Sequence, residues 1–269
     1  MNPGRTKQGT AFEVHGPQAP NVILVHGLGL NKTMWQLQVP ALVAARWQVV
    51  TYDLYGHGES AAPPQVPTLA LFSGQLAGLM EHLGITRAVV AGFSLGGMIA
   101  RRFAMDHPDC TTALALLHSA HLRDQAAHDA IQARVHQARQ DGPGATVEAA
   151  LERWFTAPFR EAHPEIMDLV RKWVLANSKD IYPSIYQVLV DGVTELAAPE
   201  PPITCPALVM TADEDYGNSV EMSRAIAAEI PGSETVILKG LRHMAMVEAP
   251  ERFNAPLLEF LRTLGSKVA

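Results

Sequence analysis

The residues whose types and spacing could do chemistry begin at Gly92-Phe93-Ser94-Leu95-Gly96. An apolar run, Ala88 to Ala91, leads straight into this segment, and a helical-looking stretch, Met98 to Met105, follows it. A strand that turns so sharply into a helix leaves no room for a side chain at Gly92 or Gly96. Such a turn lifts the Ser94 hydroxyl above the sheet edge. It also leaves backbone N–H groups of the first helical turn free to face a developing oxyanion.

A serine is a weak nucleophile at neutral pH and needs a base, which an acid must orient. On a turn of this kind, acid and histidine follow the serine in that chain order. Asp213, Glu214 and Asp215 come just after the run ending in Met210-Thr211, and His243 lies in Lys239-Gly240-Leu241-Arg242-His243-Met244. Of eleven histidines, His243 is the one between the last strand and the last helix. Asp215 lies deeper in its loop, where the chain can turn back toward the histidine, and is assigned as the acid. Asp213, beside the strand, is assigned to the turn. The oxyanion donors are the N–H of Leu95 and the N–H of Leu28, the latter within His26-Gly27-Leu28-Gly29. Asp53 and His57, in Asp53-Leu54-Tyr55-Gly56-His57-Gly58, read as braces of a tight loop.

Strands are expected at Val22–Val25, Gln48–Tyr52, Ala88–Ala91, Thr112–Leu117, Ala207–Thr211 and Thr235–Leu238. A short possible strand at Ala11–Val14 is expected to pair poorly, because so little chain precedes it. Helices are expected over Thr33–Ala45, with Trp35, Leu37, Leu42 and Val43 in the core, and over Thr68–Leu83 closed by Gly84. Others fall at Ser219–Ile230 and Pro250–Leu264. Alternating strands and helices imply an α/β fold, a mostly parallel sheet with helices on both faces. The alternation stops between about His121 and Glu200, where only helical segments occur: Arg123–Gln140, Ala145–Trp154, Pro164–Ala176 and Ile181–Asp191. So long an insertion exceeds a simple crossover. It reads as a helical cap (121–200) over the C-terminal edge of a core made of residues 1–120 and 201–269, where α/β folds bind ligands.

The chain has 269 residues, is 48% hydrophobic, and carries a net charge of −6 with no basic block. Nucleic acid and anionic membrane surfaces are therefore not expected partners. Met1 to Thr10 is polar, and no run of 18 apolar residues occurs, so the chain reads as soluble, unexported and cytoplasmic. Cys110 and Cys205 stand outside any C-x-x-C or metal-type spacing and read as buried free thiols.

Together, the His-Gly-x-Gly loop, the Asp53…Gly-His-Gly-x-Ser60 loop, the Ser94 turn, the acid loop and His243 followed by Glu248-Ala249-Pro250-Glu251 resemble the α/β-hydrolase superfamily over essentially the whole chain. Two stretches narrow the likeness: Leu28-Gly29 followed by Met34-Trp35, and Arg153-Trp154-Phe155-Thr156 in the cap. Both look like segments of 3-oxoadipate enol-lactonases, which open a small unsaturated lactone in aromatic degradation. The resemblance implies hydrolysis of a small lactone or ester, with Trp154 either lining the pocket or packing the cap. Cleavage of a carbon–carbon bond in a ring-fission product, perhydrolysis, or a ligand receptor on a hydrolase fold are the alternatives. No metal or organic cofactor is called for, because a serine triad activates its own nucleophile. The oligomeric state stays open.

Overall fold

The computed structural model describes residues 2–265. Eight strands form one sheet in the order β1-β2-β4-β3-β5-β6-β7-β8. They are β1 (Asn2–Arg5), β2 (Ala11–His15), β3 (Asn21–Val25), β4 (Gln48–Tyr52), β5 (Ala88–Phe93), β6 (Thr111–Leu117), β7 (Ala207–Ala212) and β8 (Glu234–Leu238). All neighbouring pairs from β4 to β8 are parallel, whereas β1–β2 and β2–β4 are antiparallel. The central strands are continuous apolar runs because both of their faces are covered. Ile23 and Val25 of β3 pack into one core, with Val90 of β5. Val22 and Leu24 pack into the other, with Val89, Ala91 and Phe93.

The helices are α1 (Val39–Ala44), α2 (Leu69–Leu83), α3 (Leu95–Asp106), α4 (Gln125–Asp141), α5 (Val147–Trp154), α6 (Ala157–Ala162), α7 (Pro164–Leu175), α8 (Tyr182–Leu196), α9 (Val220–Glu229), α10 (Ala245–Glu248) and α11 (Pro250–Gly265). Local chemistry accounts for several ends. Thr68 Oγ1 accepts from Leu71 N at 3.0 Å, and Gly84 takes φ +66° to close α2. Asp124 caps α4 by accepting from Ala127 N at 2.8 Å. Helices α4 to α8 all fall between β6 and β7. Among the described residues, no helix is long and apolar enough to cross a membrane.

The structure corrects four expectations. The N-terminal pair is well formed, in register from Asn2 opposite Val14 to Arg5 opposite Ala11. The turn Thr6–Thr10 closes it, with Thr6 N on Thr10 O at 3.0 Å, and β4 anchors β2 from the other side. The helix expected over Thr33–Ala45 is two pieces, a 3-10 turn at Lys32–Trp35 and then α1. Pro40 has no N–H to donate and can only begin a helix, so the chain restarts there. Leu37 falls in the gap and is 40% exposed instead of joining the core, while Val43 is only partly buried. Cys110 and Cys205 are half-buried, not buried, because each lies in the connection just before its strand. In the insertion, α6 was not anticipated, and α8 runs on to Leu196.

Candidate active site

Ser94 joins β5 to α3 with φ 55° and ψ −116°, a conformation an ordinary residue adopts only when its surroundings impose it. The surroundings do impose it. A Cβ on Gly92 would lie 2.1 Å from Gly96 O, and one on Gly96 would lie 2.2 Å from Val25 O. The turn is tied down by Ser94 N to Leu117 O at 2.9 Å and by Gly97 N to Ser94 O at 2.9 Å. Ser94 is 7% exposed and opens into a chamber with about 810 Å³ of empty space, part of it open to solvent.

Asp215 and His243 meet at the same chamber. Asp215 Oδ2 lies 2.7 Å from His243 Nδ1, and Asp215 Oδ1 accepts from Asn218 N at 3.0 Å and Gly217 N at 3.2 Å. Burial alone would raise the Asp215 carboxyl. The His243 charge outweighs it, with hydrogen bonds from His118 and His243, and holds the group well below the usual carboxylate range. Asp213 stays outside the chamber, where its Oδ1 takes Gly240 N at 2.7 Å and its Oδ2 faces Lys239 Nζ at 3.6 Å. Among the described residues, Ser94 Oγ has no hydrogen-bond partner, His243 included.

Leu28 and Leu95 N–H groups donate to no protein acceptor among the described residues, and both residues flank Ser94. The loop around Leu28 is held on three sides. Gly29 N donates to His57 Nε2 at 3.0 Å, Asn177 Nδ2 donates to Gly29 O at 3.0 Å, and Leu54 N donates to His26 Nε2 at 2.9 Å. A Cβ on Gly27 would meet Phe93 Cδ1 at 2.9 Å and Ser94 Cβ at 3.2 Å, so this loop presses directly on the serine turn. Asp53 braces the same region from below. Its Oδ1 accepts from Lys32 N at 2.7 Å, and its Oδ2 from Lys32 Nζ at 3.1 Å and Glu59 N at 2.9 Å.

Each of the two buried imidazoles here uses one nitrogen as an acceptor from a backbone N–H. His57 Nδ1 faces Tyr55 O at 3.3 Å, and His26 Nδ1 faces Gly27 O at 2.8 Å, so both rings are neutral with the proton on Nδ1. Burial is the main cause of their lowered pKa values, and it pushes His57 down to about 3.

Trp154, at the end of α5, lines the chamber with its ring 6.1 Å from the His243 ring. Phe93 packs on the other side at 4.7 Å. The insertion is fastened to the His243 loop at this point. Met244 N donates to Trp154 O at 2.9 Å, and Arg242 Nη1 donates to Glu152 O at 2.7 Å and Phe155 O at 3.1 Å.

Sequence reasoning missed His118. It follows β6 with φ 51°, is fully buried, and sets Nδ1 2.8 Å from the same Asp215 Oδ2 that holds His243. Burial lowers its pKa despite the carboxylate, so it is a neutral donor. Its Nε2 has no partner. The one available signal was a polar residue ending the buried run Thr112–Leu117 at the ligand-binding edge. The ligand-type atoms of His118, Asp215 and His243 lie within 4.8 Å of one another. The 2.7 and 2.8 Å contacts are hydrogen bonds, though, and occupy the lone pairs and protons a cation would have to displace.

Comparison with known proteins follows this geometry. Residues 22–255 match the model described as "Alpha/beta hydrolase family". The chain is 28% identical over 235 residues to 3-oxoadipate enol-lactonase 2 of Acinetobacter baylyi, covering 87% of this chain and 86% of that protein. It is 26% identical over 254 residues to (E)-2-((N-methylformamido)methylene)succinate hydrolase of the same organism, covering 94% and 95%. The crystal structure of the enol-lactonase from Burkholderia xenovorans LB400 superposes with a TM-score of 0.88 at 29% identity, over 97% of this chain and all of that one. With the model match spanning most of its length, the chain belongs to the alpha/beta hydrolase family.

Proposed function

We propose that the protein is a serine hydrolase that cleaves a small carboxylic ester or lactone through an acyl-enzyme. The observation that carries this reading is a buried Asp215–His243 hydrogen bond opening on the same chamber as Ser94, with the unengaged N–H groups of Leu28 in the chamber lining and of Leu95 next to Ser94 in the chain. His243 Nε2 takes the Ser94 proton as Oγ attacks the acyl carbon, and returns it to the departing oxygen. Asp215 keeps the His243 proton on Nδ1 and stabilises the imidazolium that forms. The N–H groups of Leu28 and Leu95 receive the carbonyl oxygen as its charge develops, where low solvent exposure makes them most effective. Water then attacks the acyl carbon with His243 as base and releases the acid. In this reading residues 121–200 are the cap, residues 1–120 and 201–269 are the core, and Trp154 forms the substrate wall beside His243. The likeness to enol-lactonases makes a small lactone the first substrate to try.

The test follows loss of 3-oxoadipate enol-lactone absorbance with wild type and Ser94→Ala. Fast turnover that disappears in the variant supports the serine chemistry on a lactone with one free carboxylate. Turnover that persists in Ser94→Ala overturns the serine mechanism.

A further inference from the structure

The chamber that Ser94 opens into is also lined by three guanidinium groups: Arg123, just before α4, Arg134 on α4 and Arg153 on α5. All three are half-buried. Among the described residues, none has a carboxylate oxygen within 4.0 Å, although most other arginines of the insertion and of α3 are ion-paired. The single carboxylate lining the chamber, Asp215, is already engaged by two imidazoles. The few bonds these arginines make go to neutral groups. Arg123 Nη1 donates to Leu189 O at 3.1 Å and Arg134 Nε to Tyr186 Oη at 3.1 Å, while Arg153 makes none among the described residues. Most of their N–H donors therefore remain free.

Folding has gathered like charges on a wall that water only partly reaches, which is unfavourable unless something else uses them. Burial, and after it the neighbouring Arg134 charge, pushes the Arg123 guanidinium down to about 10, and the same two causes lower Arg153. Arg134 is thus the charge that both of the others feel. A guanidinium presents a planar fork that matches a carboxylate through two parallel bonds. One carboxylate would leave two of the three charges uncompensated, whereas two would leave one.

We infer that the arginine-bearing lining of the chamber is an anion site for two carboxylates, so that the ester or lactone cleaved at Ser94 is a dianion whose carboxylates sit on Arg123, Arg134 and Arg153. The inference rests on the hydrolase reading for the reaction, but the anion site is measurable without it. The binding experiment uses full-length Ser94→Ala protein and calorimetry with tricarballylate, glutarate and butyrate, which carry three, two and one carboxylates, as products of such substrates would. Each added carboxylate is expected to tighten Kd about tenfold, as charge-assisted hydrogen bonds do. Arg134→Gln is expected to weaken tricarballylate at least tenfold, and Arg134→Lys, which keeps the charge without the fork, by less. Arg123→Gln provides the same comparison should the Arg134 variants fail to fold.

Equal affinities across the three acids would overturn the inference, as would an unchanged tricarballylate Kd in Arg134→Gln or Arg123→Gln. Inorganic phosphate binding more tightly than tricarballylate would overturn the assignment to carboxylates. Turnover is then read on wild type with the 4-nitrophenyl monoesters of the same acids, where kcat/KM should rise in the order butyrate, glutarate, tricarballylate. A reversed order overturns the inference. If no ester is cleaved while the binding series holds, the hydrolase reading fails and the anion site stands.

Discussion

His57 makes the protein acid-sensitive by a calculable amount. Its Nε2 accepts from Gly29 N and it is 1% exposed, so a proton arriving there would set N–H against N–H in a site closed to bulk solvent. The folded group titrates at about 3, whereas in the unfolded chain it titrates near 6.5, roughly the free value. Below pH 6.5 the unfolded chain therefore takes up a proton that the folded chain refuses, and stability falls as pH falls until the folded value is reached. Between pH 7.5 and 5.0 the difference is about 1.5 pK units, or about 2 kcal/mol, from this one residue. That is a sizeable part of the roughly 5–15 kcal/mol that holds a domain together. The assay is urea unfolding at pH 7.5 and 5.0 for wild type and for His57→Gln, whose amide oxygen can still accept from Gly29 N without titrating. The intrinsic cost of the substitution cancels between the two pH values. Wild type should lose about 2 kcal/mol more than the variant on acidification. Equal losses would refute the argument, because they would mean that the buried ring accepts its proton as readily as the unfolded one.

Three further outcomes follow from the same geometry. Asp215→Asn should lower kcat by about 10⁴-fold by favouring the wrong His243 tautomer, while Asp213→Asn, which touches only Gly240 N and Lys239, should stay within a few-fold of wild type; the reverse pattern in steady-state kinetics would move the acid to Asp213. Gly96→Ala forces a Cβ to 2.2 Å from a backbone oxygen that cannot yield, and should cost more than about 3 kcal/mol by chemical denaturation. For His118, loss of its donor to Asp215 should lower kcat/KM about tenfold in His118→Leu and by less in His118→Asn, which retains an N–H; equal values for the two would show that the ring acts by packing alone.

Much of this was legible because of where the chain keeps its chemistry. Ser94 and Asp215 each follow a buried apolar run and His243 follows the last, half-exposed edge strand, and a polar residue past the end of such a strand is held at the sheet's C-terminal edge. The glycines at 92 and 96 were readable for a related reason, since a turn that tight tolerates nothing larger. His118 obeys the same rule but belongs to no motif, and only the fold shows that its ring reaches the Asp215 oxygen. The arginines were harder still. Arg134 and Arg153 lie on helices whose composition suits a solvated face, and which way that face turns is decided by packing of α4 on α8 and of α5 on α7, not by local pattern. The break at Pro40 and the exposure of Leu37 show helix propensity yielding to one missing N–H. The β1–β2 pair shows that a short strand needs little length when its neighbour is already fixed in the sheet.

The bonds that residues 242–244 make to the insertion end on main-chain oxygens, those of Glu152, Trp154 and Phe155, and one step further on Thr156 N and Oγ1 donate to the Glu248 carboxylate. A carbonyl is present whichever amino acid occupies the position. Side chains from 152 to 154 can therefore be exchanged, and the wall beside His243 reshaped, without releasing the loop that carries His243, while Phe155, fully buried in the core, can yield only to another large apolar residue. Adding or deleting a single residue there would shift every one of these oxygens at once. New specificities in this protein should thus be reachable by substitution along this segment and closed to changes in its length, a rule that a substitution library and an insertion library over the same four positions would separate directly.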